Sequence, residues 1–230
     1  KEADLIAAED TRKLKQLAGG LDIKLKAKVV SVNDTNERAQ VEHLANLAKT
    51  SNVVLVSDAG MPTISDPGYN LVKHCHQIGV EVLSIAGPSA VSSALSVSGL
   101  PTNRFCFEGF IPKKSGEREQ FFESLKTEKR TMVFFETAPR IVDSLETAIE
   151  VLGDRQASLS RELTKMFEQT ITGKLSEIRE EIATNPRGEM VLVVHGDESA
   201  ELDYQFLVEK VLQLVESGIG LKQAANEVSE

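Results

Sequence analysis

The stretch VVLVSDAGMPTISDPG, from Val53 to Gly68, decides how the rest of the chain is interpreted. Its first four residues, Val53–Val56, are apolar and typical of a strand that is buried on both faces. A loop rich in glycine, proline and aspartate follows, and a helical pattern then runs from Tyr69 to Ile78. Because open α/β sheets bind ligands at the carboxyl ends of their strands, this order predicts a ligand-binding loop. An ordinary turn before a helix is the alternative that the spacing leaves open.

Strands and helices alternate on both sides of this stretch, which predicts a mostly parallel sheet covered by helices. The loop has neither the GxxxxGK[ST] order of a P-loop nor the GxGxxG order of a dinucleotide fold, so the ligand class stays open. Asp10 is placed to cap the first helix, and Asp34 the second, with Glu37 at its capping-box position. The other elements predicted in this half are strands at Leu5–Ala8, Lys28–Val32 and Val80–Ile85, and helices at Asp10–Leu17, Asp34–Ala48 and Pro88–Val97.

The alternation breaks at Gly99–Asn103, where we expect a domain boundary. The sequence therefore predicts a two-domain α/β protein, with an N-terminal domain over residues 1–100 and a C-terminal domain over residues 101–196. Residues 197–230 are expected to form an acidic linker and a short helical tail, which either packs on the protein or contacts RNA. For the C-terminal domain a mixed sheet is predicted, with strands at Phe105–Phe107, Thr131–Glu136, Ala157–Arg161, Phe167–Thr172 and Glu189–His195, and helices at Ser115–Lys126, Ala138–Leu152 and Lys174–Ala183.

Composition narrows the function classes. Two cysteines make no disulfide framework and suggest a reducing compartment. No apolar run approaches the roughly 20 residues of a membrane span, and no signal peptide is visible. The net charge of −9 is unfavourable for binding nucleic acid, although a local basic patch, such as Lys113–Lys114, would still allow it. His74, Cys75 and His76 point in different directions on a predicted helix, so no metal site is expected.

Several motifs together resemble one family. SDAGMPTISDPG is similar to the corresponding loop of the ribosomal RNA small subunit methyltransferase I family, the 16S rRNA cytidine 2′-O-methyltransferases of the tetrapyrrole-methylase superfamily. The other matching motifs, in the same order, are AEDTRK (Ala8–Lys13), AGPSAVSSAL (Ala86–Leu95), FEGFIPKK (Phe107–Lys114), RELTK (Arg161–Lys165) and GEMVLVV (Gly188–Val194). The resemblance covers roughly residues 1 to 196. Members begin earlier, with a strand, a GNL-type loop and a helix that this sequence lacks, and we expect the natural protein to carry them upstream.

The resemblance implies a tetrapyrrole-methylase-like fold with S-adenosylmethionine held between the domains. It also implies that the substrate is 16S rRNA in the small ribosomal subunit, and that the enzyme is a cytoplasmic homodimer that needs neither metal nor membrane. A tetrapyrrole (precorrin-type) C-methyltransferase is one alternative, against which AEDTR and RELTK argue. A relative that binds RNA or cofactor without turnover is the other.

Methyl transfer to a ribose hydroxyl requires aligned reactants and a group that accepts the proton. Carboxylates and cations at strand ends are therefore the candidates. Glu9 and Glu37 are the candidate bases, since histidines that the family usually shows are replaced here by Asn33 and Thr35. Arg12 suits a phosphate, although capping alone could explain its neighbour Asp10.

The remaining site residues are implied by the family resemblance. Asp58 and the backbone amides of Ala59, Gly60 and Met61 are expected to form the cofactor cradle, with Ser89 and Ala90 opposite. Three apolar residues of the second domain are expected to complete it, although each could equally be core: Phe135, Leu163 and Met190. Candidate substrate contacts are Asn36, Arg140, Arg161 and Lys165, of which the last two could instead form structural ion pairs.

Overall fold

The computed structural model describes residues 3–229, except for the side chains of residues 199–205 and 229. The chain folds into two compact units, Lys1–Ser93 and Ala94–Glu230. Unit 1 contains β1 (Leu5–Ala8), α1 (Thr11–Gly20), β2 (Lys28–Ser31), α2 (Glu37–Leu47), β3 (Val53–Val56) and α3 (Tyr69–Gln77), and α4 (Ala90–Val97) runs across the boundary. Unit 2 continues with β4 (Phe105–Phe110), α5 (Ser115–Ser124), β5 (Thr131–Thr137), α6 (Ile141–Leu152), β6 (Gln156–Arg161), β7 (Gln169–Lys174), α7 (Leu175–Ala183), β8 (Glu189–Val194), α8 (Ser199–Glu216) and α9 (Leu221–Ser229).

Unit 1 is built on a parallel three-stranded sheet, sheet A, in the order β2-β1-β3. Ala8 at the end of β1 is in register with Ser31 of β2 and Val56 of β3, so all three carboxyl ends lie at one edge. The core on one face contains Leu5, Ala7, Leu44, Leu71 and Cys75, which join the sheet to α2 and α3. This confirms the predicted α/β class and parallel sheet.

Unit 2 contains a five-stranded mixed sheet, sheet B, in the order β4-β5-β8-β6-β7. Within residues 3–229, β4 and β5 form the one parallel pair of neighbours in this sheet, since the β5–β8, β8–β6 and β6–β7 pairs are antiparallel. Its core includes Phe122, Phe134, Leu145, Ile178 and Leu192, which come from the sheet and from α5, α6 and α7. The predicted mixed sheet is confirmed.

The prediction of a strand at Val80–Ile85 is wrong. No residue of that stretch has strand structure, and Leu83 and Ile85 are 70% and 84% exposed. A strand needs a hydrogen-bonding neighbour, and within residues 3–229 sheet A ends at β3. For the same reason Val53–Val56 is not buried on both faces: β3 is an edge strand, and Val54 is 36% exposed.

Several predicted helix starts also move. Asp10 is the N-cap of α1, as predicted, because its side chain accepts a hydrogen bond from the Arg12 N–H. Asp34, however, does not cap α2, since the N-cap is Asn36 and the side chain of Asn33 organises the preceding turn. The helix predicted from Pro88 begins at Ala90. At α2 the shift occurs because the Asn33 side chain binds backbone N–H groups ahead of the helix.

Candidate functional site

The carboxyl edge of sheet A brings together residues that are far apart in sequence. Glu9 and Asp10 follow β1, and Asp58 lies two residues beyond β3. The Asp58 N–H donates to Oε2 of Glu9 at 3.0 Å, and Asp58 Oδ1 accepts from the Asp10 N–H, also at 3.0 Å. The predicted catalytic residue Glu9 and the predicted cofactor residue Asp58 are therefore directly hydrogen-bonded.

Two cations of α1 lie at this edge. Lys13 Nζ is 2.9 Å from Asp58 Oδ2, a contact that the sequence reasoning missed although Lys13 stands inside the quoted AEDTRK motif. The Arg12 guanidinium binds Asp10 through Nε at 3.1 Å and Nη2 at 2.7 Å, and its side chain is 89% exposed. This pairing holds the pKa of Asp10 well below its usual range. An exposed pair contributes little stability, so Arg12 can exchange its carboxylate for a phosphate at small cost.

The loop from Ser57 to Gly68 has an unusual backbone. Four of its residues have positive φ: Gly60 (77°), Thr63 (75°), Ser65 (59°) and Gly68 (123°). A β-branched residue such as Thr63 rarely adopts this conformation, and such strain is concentrated at ligand-binding sites. Gly68 has a φ that L side chains rarely adopt, and a Cβ there would also lie 2.5 Å from Leu55 Cδ2, so the position favours glycine.

The loop lies against the segment that leads into α4. A Cβ on Gly87 would lie 3.2 Å from Met61 Sδ, and one on Gly60 would lie 3.8 Å from the Pro88 carbonyl oxygen. Ser89 then caps α4, accepting a hydrogen bond from the Ser92 N–H at 3.4 Å. The two stretches predicted to flank the cofactor, residues 58–61 and 89–90, are thus neighbours in unit 1.

The N–H groups of this loop fit a polar ligand. None of the hydrogen bonds within residues 3–229 uses the N–H of Ala59, Gly60 or Met61, whereas Ser57 Oγ donates to the carbonyls of Ala59 and Gly60 at 3.3 Å. These three N–H groups, at Gly60 and its two neighbours, could serve as donors to a polar ligand.

Asp66 is a carboxylate in this loop that the sequence reasoning missed as a site residue. Burial raises its pKa, the charge of Glu9 raises it further, and a hydrogen bond from Ser57 opposes them. The signal available in the sequence was only its place in a loop with a second aspartate. Asp66, Glu9 and Asp58 therefore concentrate negative charge in this part of unit 1.

The raised pKa of Asp66 predicts a pH-dependent stability. Because the pKa in the folded state exceeds the unfolded value, ionisation destabilises the fold as pH rises above the unfolded value, near 3.9. Asp66→Asn should therefore raise stability at pH 7 and should change nothing at pH 3. Thermal melts at both pH values test this, with Glu42→Gln on the exposed side of α2 as control. Equal melting temperatures of Asp66→Asn and wild type at pH 7 would contradict it.

Glu37, a predicted base, has a different environment. It is 6% exposed, and its Oε1 accepts from the N–H groups of Gly68 (3.1 Å), Asn70 (2.9 Å) and Leu71 (3.3 Å), while Oε2 accepts from Asn70 Nδ2 (3.1 Å). Gly68 is the N-cap of α3 and has no side chain to serve that end. Glu37 caps α3 from a neighbouring helix, with its negative charge at the positive end of the dipole. It does not form the capping box of α2 that the sequence suggested.

Asn36, a predicted substrate contact, is also used within the fold. Its Oδ1 accepts from the Asn33 N–H at 2.9 Å, and its Nδ2 donates to the Ser31 carbonyl at 3.1 Å. These bonds shape the turn after β2.

The predicted residues of unit 2 meet at one end of sheet B. Met190 is in register with both Glu136 and Arg161, and Phe135 precedes Glu136 on β5. Arg140 follows β5, whereas Leu163 and Lys165 follow β6 in a turn with positive φ at Glu162 and Thr164. Met190 is only 2% exposed, which agrees with the alternative that it is a core residue. Phe135 and Leu163 are half-buried.

The three cationic side chains of this group differ in how strongly other residues bind them and in how exposed they are. Arg140 binds Glu136, the Thr137 hydroxyl and the Ile111 carbonyl, and Arg161 donates to the Asn185 carbonyl at 2.6 Å. Lys165 is half exposed and lies 3.0 Å from Glu162 and 3.4 Å from Glu189, which raise its pKa. Only the lysine therefore combines charge with an accessible head group.

No group of His, Cys, Asp and Glu able to hold a metal ion occurs in the part of the chain that the structure describes. Cys75 and Cys106 are buried, and burial raises both thiol pKa values, that of Cys106 to about 11, so neither is an activated nucleophile. Over residues 3–229 no helix is both long and apolar enough to cross a membrane.

Two solved structures share the fold. The methyltransferase CobJ matches with a TM-score of 0.59 at 18% identity, over 85% of this chain and 84% of that one. Diphthine synthase matches with a TM-score of 0.62 at 17% identity, over 84% of this chain and 80% of that one. At such low identity these likenesses show the fold alone.

Closer relatives are found by sequence. A protein named ribosomal RNA small subunit methyltransferase I from Mycobacterium tuberculosis (strain CDC 1551 / Oshkosh) is 43% identical over 99% of this chain and 80% of its own length. Proteins of the same name from Escherichia coli O157:H7 (41% identical, 99% and 80%) and Thermotoga maritima (42% identical, 86% and 89%) also match. The family model described as Tetrapyrrole (Corrin/Porphyrin) Methylases matches residues 1–179. The chain therefore belongs to the tetrapyrrole methylase family and, within it, to the ribosomal RNA small subunit methyltransferase I family, whose members methylate rRNA.

Proposed function

We propose that the protein transfers a methyl group from S-adenosylmethionine to the 2′-hydroxyl of a cytidine ribose in 16S rRNA. The observation that supports this most is the hydrogen bond between Glu9 and Asp58 at the carboxyl edge of sheet A, which joins a candidate base to a candidate cofactor loop. The rRNA methyltransferase names of its relatives favour RNA as the acceptor. We further propose that it acts in the cytoplasm, as a homodimer, on the small ribosomal subunit.

The cofactor is assigned to the cradle in unit 1. When bound, S-adenosylmethionine supplies an electrophilic methyl group on a sulfonium centre. The unused N–H groups of Ala59, Gly60 and Met61 suit its acceptors. The carboxylate of Asp58 suits its donors and positive charge once it releases Lys13, which binds Oδ2 in the structure. Ser89 and Ala90 are proposed to border the same cradle, next to Gly60 and Met61.

For the chemistry we assign Glu9 as the proton acceptor and Arg12 as a phosphate ligand. Oε2 of Glu9 is used by Asp58, but none of the hydrogen bonds within residues 3–229 uses Oε1, so this oxygen can take the proton of the ribose hydroxyl. The exposed guanidinium of Arg12 can hold the flanking phosphate and so orient the ribose. Glu37 positions the end of the loop in this scheme, since its carboxylate is occupied by N–H donors.

The RNA contacts proposed in unit 2 follow from exposure. Lys165 offers an accessible ammonium that can leave its carboxylates for a phosphate. Arg140 and Arg161 instead stabilise that end of sheet B by donating to the backbone carbonyls of other residues. Asn36 likewise donates to a backbone carbonyl and stabilises the turn after β2.

The test is methyl transfer from labelled S-adenosylmethionine to small ribosomal subunits that lack the modification. The natural full-length protein and the present 230 residues are assayed side by side. We expect label at a cytidine ribose of 16S rRNA from the full-length protein. Cofactor binding without any label in rRNA would contradict the proposal and favour a tetrapyrrole acceptor or a binder without turnover.

Two variants in the full-length protein should separate binding from chemistry. Asp58→Ala removes a charged hydrogen-bond partner of the loop and should weaken cofactor binding roughly 10- to 100-fold. Arg12→Ala should leave cofactor affinity unchanged and reduce methylation by at least about tenfold, because a phosphate contact is lost. Calorimetry with the cofactor and the labelled-methyl assay measure the two effects. An Arg12→Ala variant with normal methylation would leave Arg12 a structural role only.

A further inference from the structure

An irregularity in the edge strand of sheet B redirects one aromatic side chain. Along β4, Phe107 is in register with Val133 of β5, and Phe110 with Phe135, so three steps on β4 match two on β5. Gly109, with φ of +73°, lies inside this bulge. One extra residue reverses the alternation of side chains beyond it.

The burial of the flanking residues shows that reversal. Cys106 and Ile111 are five residues apart and would lie on opposite faces of a regular strand. Both are buried in the core of unit 2, at 8% and 1% exposure. The bulge therefore places Ile111 in the core and leaves Phe110 on the other face, together with Phe107.

On that face three aromatic rings form a row. The ring of Phe135 lies between the other two, with centroids 4.8 Å from Phe107 and 5.4 Å from Phe110 and edge-to-face angles of 63° and 66°. Phe110 is nevertheless 53% exposed. It has an aromatic ring on one side and an open surface on the other.

Hydrogen bonds fix the backbone that directly follows Phe110. The Ile111 N–H donates to the Phe135 carbonyl at 3.2 Å, and Arg140 Nη1 donates to the Ile111 carbonyl at 3.1 Å. The ring is consequently held outward by the fold, so a partner that binds it loses little conformational freedom of this side chain.

Two lysines follow Phe110 closely in the sequence. Lys113 and Lys114 are exposed, and Lys114 pairs with Glu117 at 2.7 Å. Glu108, the carboxylate nearest to Phe110 in the sequence, is half-buried. Fixed aromatic rings beside lysines are the combination that binds unpaired nucleotides, since the base stacks on the ring and the ammonium holds the phosphate.

We propose that Phe110 is a stacking platform for an unpaired base of the RNA substrate, with Lys113 binding an adjacent phosphate. This inference rests on the proposed function and adds to it a specific nucleotide contact in unit 2. An adenine ring of the cofactor or a second copy of the chain would also cover an exposed phenylalanine, but neither gives the adjacent lysines a role.

The experiment compares three variants of the natural full-length protein. Phe110→Ala removes the ring, Phe110→Trp keeps a stacking surface, and Phe105→Ala is the matched control, since Phe105 is 44% exposed at the opposite end of the same strand. Affinity for unmodified small ribosomal subunits is measured by filter binding, and affinity for S-adenosylmethionine by calorimetry.

We expect Phe110→Ala to weaken subunit binding roughly 5- to 100-fold, the range for loss of one base–aromatic stack. Phe110→Trp should restore it, Phe105→Ala should match wild type, and cofactor affinity should stay unchanged in all three. Full subunit affinity of Phe110→Ala would overturn the proposal. So would a selective loss of cofactor affinity, which would mark a cofactor contact, or a shift from dimer to monomer in sedimentation, which would mark a contact between copies.

The proposed function fails in a different way. Wild-type protein that neither binds nor methylates the subunit would overturn both proposals. Normal wild-type activity together with an unaffected Phe110→Ala variant would overturn only the stacking role.

Discussion

Replacing Glu37 by alanine should lower the free energy of unfolding by about 3 to 5 kcal/mol. Its carboxylate accepts hydrogen bonds from three backbone N–H groups at the start of α3, those of Gly68, Asn70 and Leu71. Alanine would leave these donors unsatisfied where water has little access, since Gly68 and Leu71 are buried. It would also remove a negative charge from the positive end of the helix dipole.

Thermal and denaturant unfolding measure this loss, and Glu42→Ala on the exposed side of the same helix is the control, expected to lie within about 0.5 kcal/mol of wild type. Glu37→Gln separates a structural from a catalytic role. Because a glutamine offers one acceptor oxygen and no charge, we expect it to lose part of the stability. A Glu37→Gln protein that is as stable as wild type, binds cofactor and does not methylate would instead make Glu37 the proton acceptor.

Replacing Glu136 by alanine should have an effect of similar size in unit 2, about 3 to 5 kcal/mol. The residue is 1% exposed and accepts hydrogen bonds from the Thr137 N–H at 2.7 Å and the Ser144 hydroxyl at 2.6 Å, besides its ion pair with Arg140. Alanine would leave the guanidinium of Arg140, only 19% exposed, without its counter-charge.

The matched control lies on α6. Glu146 pairs with Arg179 at 2.6 Å, but both side chains are well exposed, so Glu146→Ala should cost less than about 1 kcal/mol. Unfolding midpoints of the two variants in denaturant provide the comparison. If Glu136→Ala were as mild as Glu146→Ala, the buried pair would contribute nothing beyond a surface ion pair.

The parts of the fold that depend on local sequence were predictable. The alternation of apolar runs and helical patterns was sufficient for β1, β2 and β3 and for the mixed order of unit 2, because each element carries its own periodicity. The Asp10 cap was visible for the same reason, since donor and acceptor are two residues apart. The end of β3 was also visible in the sequence, because the apolar run gives way to glycine, proline and aspartate after Val56.

Features that depend on distant residues were not predictable. Nothing near Glu37 indicates that its partners lie 31 to 34 residues further on, so the local capping box was the natural interpretation. Val80–Ile85 has the composition of a strand, but strand formation depends on a neighbour that sequence does not specify. At Phe110 a single glycine in the bulge changes which face the ring occupies, and a regular alternation would have placed it in the core.

The attachments of the Ser57–Gly68 loop have a consequence for how a ligand enters. One end is tied to β1 through Glu9 and Asp10, and the other to α2 through Glu37. Because these hydrogen bonds hold both ends of the loop in place, we expect its amides to be arranged before a ligand binds. For the proposed cofactor we therefore expect recognition of the lock-and-key kind, in which the entropy of ordering the loop is lost during folding and not on binding.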